Sequence, residues 1–272
     1  MLISFKRGKD DKMTLAEHRR KLKEKLQNRK IQPHQKISND FIDNTIHKNN
    51  LICLKIMFYL ASVLKEKDLD EVKDDTTLVS SEISTRQMLK YIGIKTADIR
   101  QNLKAMQETS ISFVDEKEDI IEGMSLLPHF QIKYGKDRTE IRLFKRIAKM
   151  IIGVGRNYTF LDTSKLMKVR SKHTLRILPL LYQISQYSDN VGKRKRMDLD
   201  QLNEFFGTKY KNIYTITKNI LDPVKDELGI ISTKSFIYEV NTDTLGVAGR
   251  PKALAVTIDL IEIEPHLFNQ KK

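Results

Sequence analysis

Between Gly207 and Asp222 the chain strings together Lys209, Lys211, Asn212, Tyr214, Thr215, Lys218 and Asn219, interleaved with Ile213, Ile216 and Ile220. Isoleucines at i, i+3 and i+7 fill one stripe of a helix, so the ammonium, amide, phenol and hydroxyl groups face the other way. Such groups hydrogen-bond to base edges and neutralise phosphates. Four consecutive cations, Lys193, Arg194, Lys195 and Arg196, follow Gly192. They read as a loop, either solvated or clamping the phosphates that flank a groove. Further on, Gly246, Gly249, Arg250 and Lys252 make a glycine-rich cationic loop between Asn241 and Lys252.

The residues that do catalytic chemistry are present but not arranged for it. His18, His34, His47, His129, His173 and His266 lie far apart, and no pair has a metal-ligand spacing. Gly153-Val154-Gly155 lacks the third glycine of a dinucleotide fingerprint, Tyr158 standing in its place, and no phosphate-cradling P-loop occurs. The carboxylates are scattered or alternate, as in Glu262 and Glu264. The single cysteine, Cys53, sits in the apolar run Leu51-Ile52-Cys53-Leu54 and reads as a small hydrophobe. The expectation is a protein that is not an enzyme, with no metal and no cofactor.

The cationic face needs a frame to hold it. Asp198 to Gly207 is a short helix with an acidic cap, apolar Leu199, Leu202 and Phe206, and a glycine just past its end. After a turn comes the helix of about 209 to 221, and Asp222-Pro223 starts a further short one. Ser235 to Val240 and Ala253 to Leu260 read as strands joined by the glycine-rich loop. The sum is a helix-turn-helix followed by a β-hairpin wing.

The first half repeats the pattern. Met88, Ile92, Gly93, Ile99 and Met106 correspond to Leu202, Phe206, Gly207, Ile213 and Ile220, every pair 114 residues apart. Leu54-Lys55-Ile56-Met57 similarly matches Leu175-Arg176-Ile177-Leu178 at an offset of 121, within long apolar helices at 51–64 and 172–187. Ser84 to Ile92 is then the short helix and Thr96 to Gln107 the second reading helix, offering Lys95, Thr96, Arg100, Gln101 and Lys104. Strands at about 110–114, 127–134 and 139–144 follow. The tip Gly135-Lys136-Asp137-Arg138, with Lys136 and Arg138 as its cations, is a second wing.

The whole chain agrees with a polyanionic partner. Its 272 residues carry 49 Lys+Arg against 35 Asp+Glu, a formal charge of +14, and 40% hydrophobic residues suffice for packed cores. Residues 1–36 hold twelve basic and four acidic residues. They form a basic arm in which Thr14 and Glu17 have capping-box spacing for a helix of about 15 to 29. The expected division is an arm over 1–37, one domain over 38–155 and another over 156–272. No signal peptide and no run of 18 apolar residues occurs, so the expected location is the cytoplasm and no membrane partner is foreseen.

Several stretches resemble the initiator (Rep) proteins of iteron-controlled plasmids. They are Leu175 to Tyr182, Met197 to Leu202, Tyr210 to Leu228 and Gly249-Arg250-Pro251-Lys252, with fainter likeness at Ser38-Asn39 and Ala97 to Leu103. The helix at 51–64 departs from that family in lacking its acidic-then-basic pair. The resemblance implies an α+β fold of two tandem winged-helix domains. It further implies a bacterial, plasmid-encoded initiator that binds directly repeated double-stranded DNA sites at an origin as a monomer and represses its own gene as a homodimer at an inverted repeat. Such proteins help to melt adjacent A/T-rich DNA and recruit the host initiator and replicative helicase. A winged-helix transcriptional regulator without initiator activity is the alternative.

Overall fold

The computed structural model describes residues 34–39, 41–45, 50–64, 69, 74–115, 119–152, 158–188, 192–243 and 252–263. Residues 1–33 of the proposed basic arm, and residues 244–251 of the glycine-rich loop with Arg250, lie outside them. Among the described residues no helix is long and apolar enough to cross a membrane.

Two long helices form the centre. Helix α1 (Leu51–Val63) is capped by Asn50, whose Oδ1 accepts from the Cys53 N–H at 2.8 Å. It shows no polar stripe because Cys53 to Val63 are all buried. Lys55 is buried with them, and its Nζ donates to the Met167 carbonyl at 3.1 Å. Its counterpart Arg176 is 1% exposed and donates to the Phe205 carbonyl at 3.3 Å.

The first module continues through β2 (Leu78–Ile83), α2 (Thr85–Ile92), α3 (Thr96–Glu108), β3 (Ser110–Asp115), β4 (Ile120–Ser125), β5 (His129–Lys133), β6 (Arg138–Phe144) and α4 (Lys145–Ile152). Strands β2, β6 and β5 form an antiparallel sheet in that order, and β3 pairs with β4. Strand β7 (Tyr158–Asp162) and the short α5 (Thr163–Leu166) lead to the second module. This comprises α6 (Lys172–Ser185), β8 (Arg194–Asp198), α7 (Leu199–Phe206), α8 (Ile213–Ile216), α9 (Asp222–Ile231), β9 (Lys234–Thr242) and β10 (Ala253–Glu262). Its sheet order, β8-β10-β9, reproduces β2-β6-β5 element for element. Both modules are winged helices: a helix, a strand, a helix-turn-helix and two further strands. The β3–β4 hairpin is an addition of the first module, because in the second the reading helix runs directly into the sheet.

The duplication at offset 114 is physical. Met88, Leu202, Ile92, Phe206, Ile99, Ile213, Met106 and Ile220 are each at most 1% exposed. The caps repeat as well. Ser84 accepts from Gln87 N–H, and Asp198 accepts from Gln201 N–H in a capping box. Gly93 and Gly207 end their helices at φ 76° and 62°, a left-handed conformation that side chains disfavour.

Two expectations are corrected and one is refined. The helix foreseen from 209 starts at Ile213, because Asn212 caps it from an extended backbone. The helix foreseen at Asp222-Pro223 does begin there, as α9, but no cap sets it apart from the turn before it. A wide π turn over Thr217–Leu221 joins α8 to α9 with helical dihedrals at Leu221 and Asp222, and the Asp222 N–H donates to the Thr217 carbonyl. Pro223 has no N–H and its ring would collide with the carbonyl four residues back, which a widened turn relieves. Third, Arg194 to Asp198 is an edge strand rather than a loop. Its neighbour β10 pairs Arg194 with Asp259 and Arg196 with Thr257.

The modules share an interior. Strand β1 (His34–Ser38) pairs with β7, His34 opposite Asp162 and Ser38 opposite Tyr158. Asp43, in a π turn over Phe41–Thr45, accepts from Lys195 and Gln183, both at 3.1 Å. The buried apolar residues of both modules form one continuous cluster.

Candidate nucleic-acid interface

The second helix-turn-helix is built around a residue that pattern reading passes over. Asn203 lies in the last turn of α7, half-buried, and its side chain spans the turn that follows. Its Oδ1 accepts from Tyr210 N–H at 2.8 Å and from the Thr208 hydroxyl at 2.9 Å, while its Nδ2 donates to the Tyr210 carbonyl at 2.9 Å. Thr208 N–H also donates to the Asn203 carbonyl at 2.8 Å, closing the helix end. The signal in the sequence was a poor helix former placed four residues before Gly207.

From this braced turn the outer face emerges as expected. Lys209, Lys211, Asn212, Lys218 and Asn219 are exposed, Thr215 is half-buried and Tyr214 is 42% exposed. Opposite them Ile213, Ile216, Ile220 and Leu221 are buried. Lys211, Asn212 and Tyr214 line a hollow of about 470 Å³ whose far side is Lys252 at the base of the wing. The turn, the reading helix and the wing root thus meet in one cationic recess.

The cation run divides instead of acting as a block. Strand alternation exposes Arg194 and Arg196 and turns Lys195 toward the buried side with Met197. Arg194 Nε pairs with Asp259 at 3.0 Å, and Lys195 pairs with Asp43. Lys193 donates to the Ser185 and Tyr187 carbonyls at 3.1 and 2.8 Å, closing the end of α6. Arg196 is the member of the run with its side chain exposed and no ion pair among the described residues.

In the first module α3 exposes Lys95, Thr96, Arg100, Gln101 and Lys104, and buries Ile99, Leu103 and Met106. Lys104 and Glu108 form an exposed i, i+4 pair at 3.7 Å, too solvated to hold the ammonium strongly. The hairpin tip differs from the expected cationic wing. Lys136 is exposed in a tight turn, but Arg138 belongs to β6 and pairs with Glu82 at 3.7 Å. Asp137, at φ 50°, turns back on α2 and accepts from Ser84 Oγ at 2.8 Å and Arg86 N–H at 2.7 Å. Its carboxylate satisfies an early N–H of that helix, so this turn braces the helix-turn-helix.

Burial pushes the Cys53 thiol up to about 11, which keeps it protonated. Among the described residues no three His, Cys, Asp or Glu side chains group as metal ligands.

Residues 34–182 match the model of the family described as "Initiator Replication protein, WH1". The chain belongs to this family of replication initiators. The match covers the first module of this initiator-family chain and ends at Tyr182, so the second module rests on its geometry and on likeness of fold. The chain is similar to the solved structure titled "Crystal structure of Pi initiator protein in complex with iteron DNA", with a TM-score of 0.65 over 86% of this chain and 99% of that one. Sequence identity is 13%, so the likeness is one of fold. No curated protein matches this initiator-family chain.

Proposed function

We propose that this chain is a sequence-specific double-stranded DNA-binding protein that starts plasmid replication by binding directly repeated origin sites. The observation that carries the reading is the duplicated reading helix. In α3 and in α8 with its π turn, residues 114 apart pack inward while Arg100, Gln101 and Lys104, and Tyr214 and Lys218, lie on the outside. Family membership and the fold shared with an initiator solved on iteron DNA support the same reading.

On this reading the arm (1–37) and two domains (38–155 and 156–272) set two reading helices in successive major grooves, roughly 34 Å apart on one face of the duplex. Phosphates are held by Lys209, Arg196, Lys136, Lys252 and Arg250. The bound protein helps open adjacent A/T-rich DNA and recruits the host initiator and replicative helicase, and a homodimer represses its own gene. Two measurements test this. With ~6 to 10 phosphates neutralised, log affinity should fall against log salt with a slope of about −5 to −9, and a slope near zero would refute duplex binding. Supplied in trans, the gene should let an origin with direct repeats replicate. Operator binding without replication would leave the transcriptional regulator.

A further inference from the structure

The entrance to α8 carries two side chains whose hydrogen-bonding direction is already decided. Asn212 caps the helix, and its side-chain oxygen accepts twice from Thr215, from the backbone N–H at 2.8 Å and from the hydroxyl at 2.7 Å. A backbone N–H can only donate, so the amide atom facing it is the oxygen, and the orientation of the Asn212 amide follows. That oxygen bears no hydrogen, so at this short separation the Thr215 hydroxyl must be the donor. The two bonds sort what remains. Asn212 has only its NH₂ to offer outward, and Thr215 has only lone pairs. A free asparagine can turn over and a free hydroxyl can rotate, but here the first change breaks the cap and the second forfeits the hydroxyl's bond to Asn212. Asn212 lines the recess with Lys211 and Lys252, and Thr215 is half-buried on the helical turn that Asn212 caps.

We propose, building on the duplex-binding reading, that Asn212 and Thr215 form a one-way hydrogen-bond couple that selects adenine over guanine at one position of the DNA site. In the major groove adenine presents an acceptor at N7 and a donor at N6, which the Asn212 NH₂ and the Thr215 lone pairs complement. Guanine presents acceptors at both N7 and O6, so its O6 would face the Thr215 oxygen with no proton between them. The usual bidentate reading of adenine by one asparagine is thereby shared between two residues, because the cap has taken the asparagine's own acceptor. Lysines nearby contribute donors only and would favour guanine instead.

The test uses the full chain and a pool of random duplexes. Bound duplexes are selected, and each adenine of the recovered site is replaced singly by guanine in an anisotropy titration. The expected result is one adenine whose replacement weakens binding about tenfold or more, within the range for a bidentate base contact. Thr215→Val should collapse the preference at that position alone, Thr215→Ser should retain it, and Asn212→Asp, which keeps the cap but removes the donor, should lose it. A preference that survives Thr215→Val, or a guanine–cytosine pair selected at that position, overturns the proposal while leaving DNA binding intact. Failure to enrich any duplex sinks the binding reading itself, and the couple with it.

Discussion

Replacing Asn203 with alanine should loosen the second helix-turn-helix without touching any residue proposed to contact DNA. The substitution removes three hydrogen bonds, one donated to the Tyr210 carbonyl and two accepted from the Tyr210 N–H and the Thr208 hydroxyl. A neutral hydrogen bond contributes roughly 1 kcal/mol net, and these groups are only partly buried, so water recovers some of the loss and about 2 kcal/mol remains. With a denaturant slope of about 1–3 kcal/mol per molar urea, the unfolding midpoint should fall by about 1 M. The Thr208–Tyr210 turn would then sample other conformations, and affinity for a selected duplex should drop roughly tenfold, since 1.4 kcal/mol of positioning is a factor of ten. Asn203→Asp separates the parts: it keeps both accepted bonds and loses the donated one, predicting about a third of the destabilisation. An unchanged midpoint and affinity in Asn203→Ala would refute the bracing role, as would Asn203→Asp proving as damaging as Asn203→Ala.

Three further outcomes follow from the geometry. His173 lies edge-on to Phe206 at 5.5 Å, and burial, followed by the charges of Lys172 and Arg176, lowers its imidazolium pKa to about 4. A folded pKa below the unfolded value makes the contribution fully present above about pH 6.5 and lost as pH falls toward 4. His173→Phe should therefore flatten the stability profile in that window by about 1–2 kcal/mol, the full shift being discounted for partial exposure, as urea midpoints against pH would show. Within the cation run, Arg196→Ala should weaken cognate and random duplexes alike and lower the salt slope by about 1. Lys195→Ala should leave that slope unchanged and instead lower the urea midpoint, because it breaks the contact with Asp43.

The helix-turn-helix units were legible because their signals are local. Apolar spacing, an oxygen-bearing cap and a left-handed glycine all act within a few residues, so Ser84 to Gly93 and Asp198 to Gly207 announced themselves, and their common offset revealed the duplication. The start of the reading helix was less clear, since Asn212 can either continue a helix or cap one, and its hydrogen bonds to Thr215 decide for the cap. The basic run was misplaced because charge says nothing about strand pairing. Arg194 to Asp198 becomes a strand through β10, some sixty residues later in the chain.

Taken alone, the order of residues determined two amphipathic helix pairs, their caps, their cationic outer faces and the positive charge of the whole, since each is a property of neighbours along the chain. Tertiary structure alone decided which cations remain available to a partner. Lys195 meets Asp43 from 152 positions away, Lys55 and Arg176 end among buried carbonyls, and Asp137 leaves its turn to cap α2. A charge settles where desolvation is offset by a partner, and such partners are brought together by packing rather than by sequence proximity.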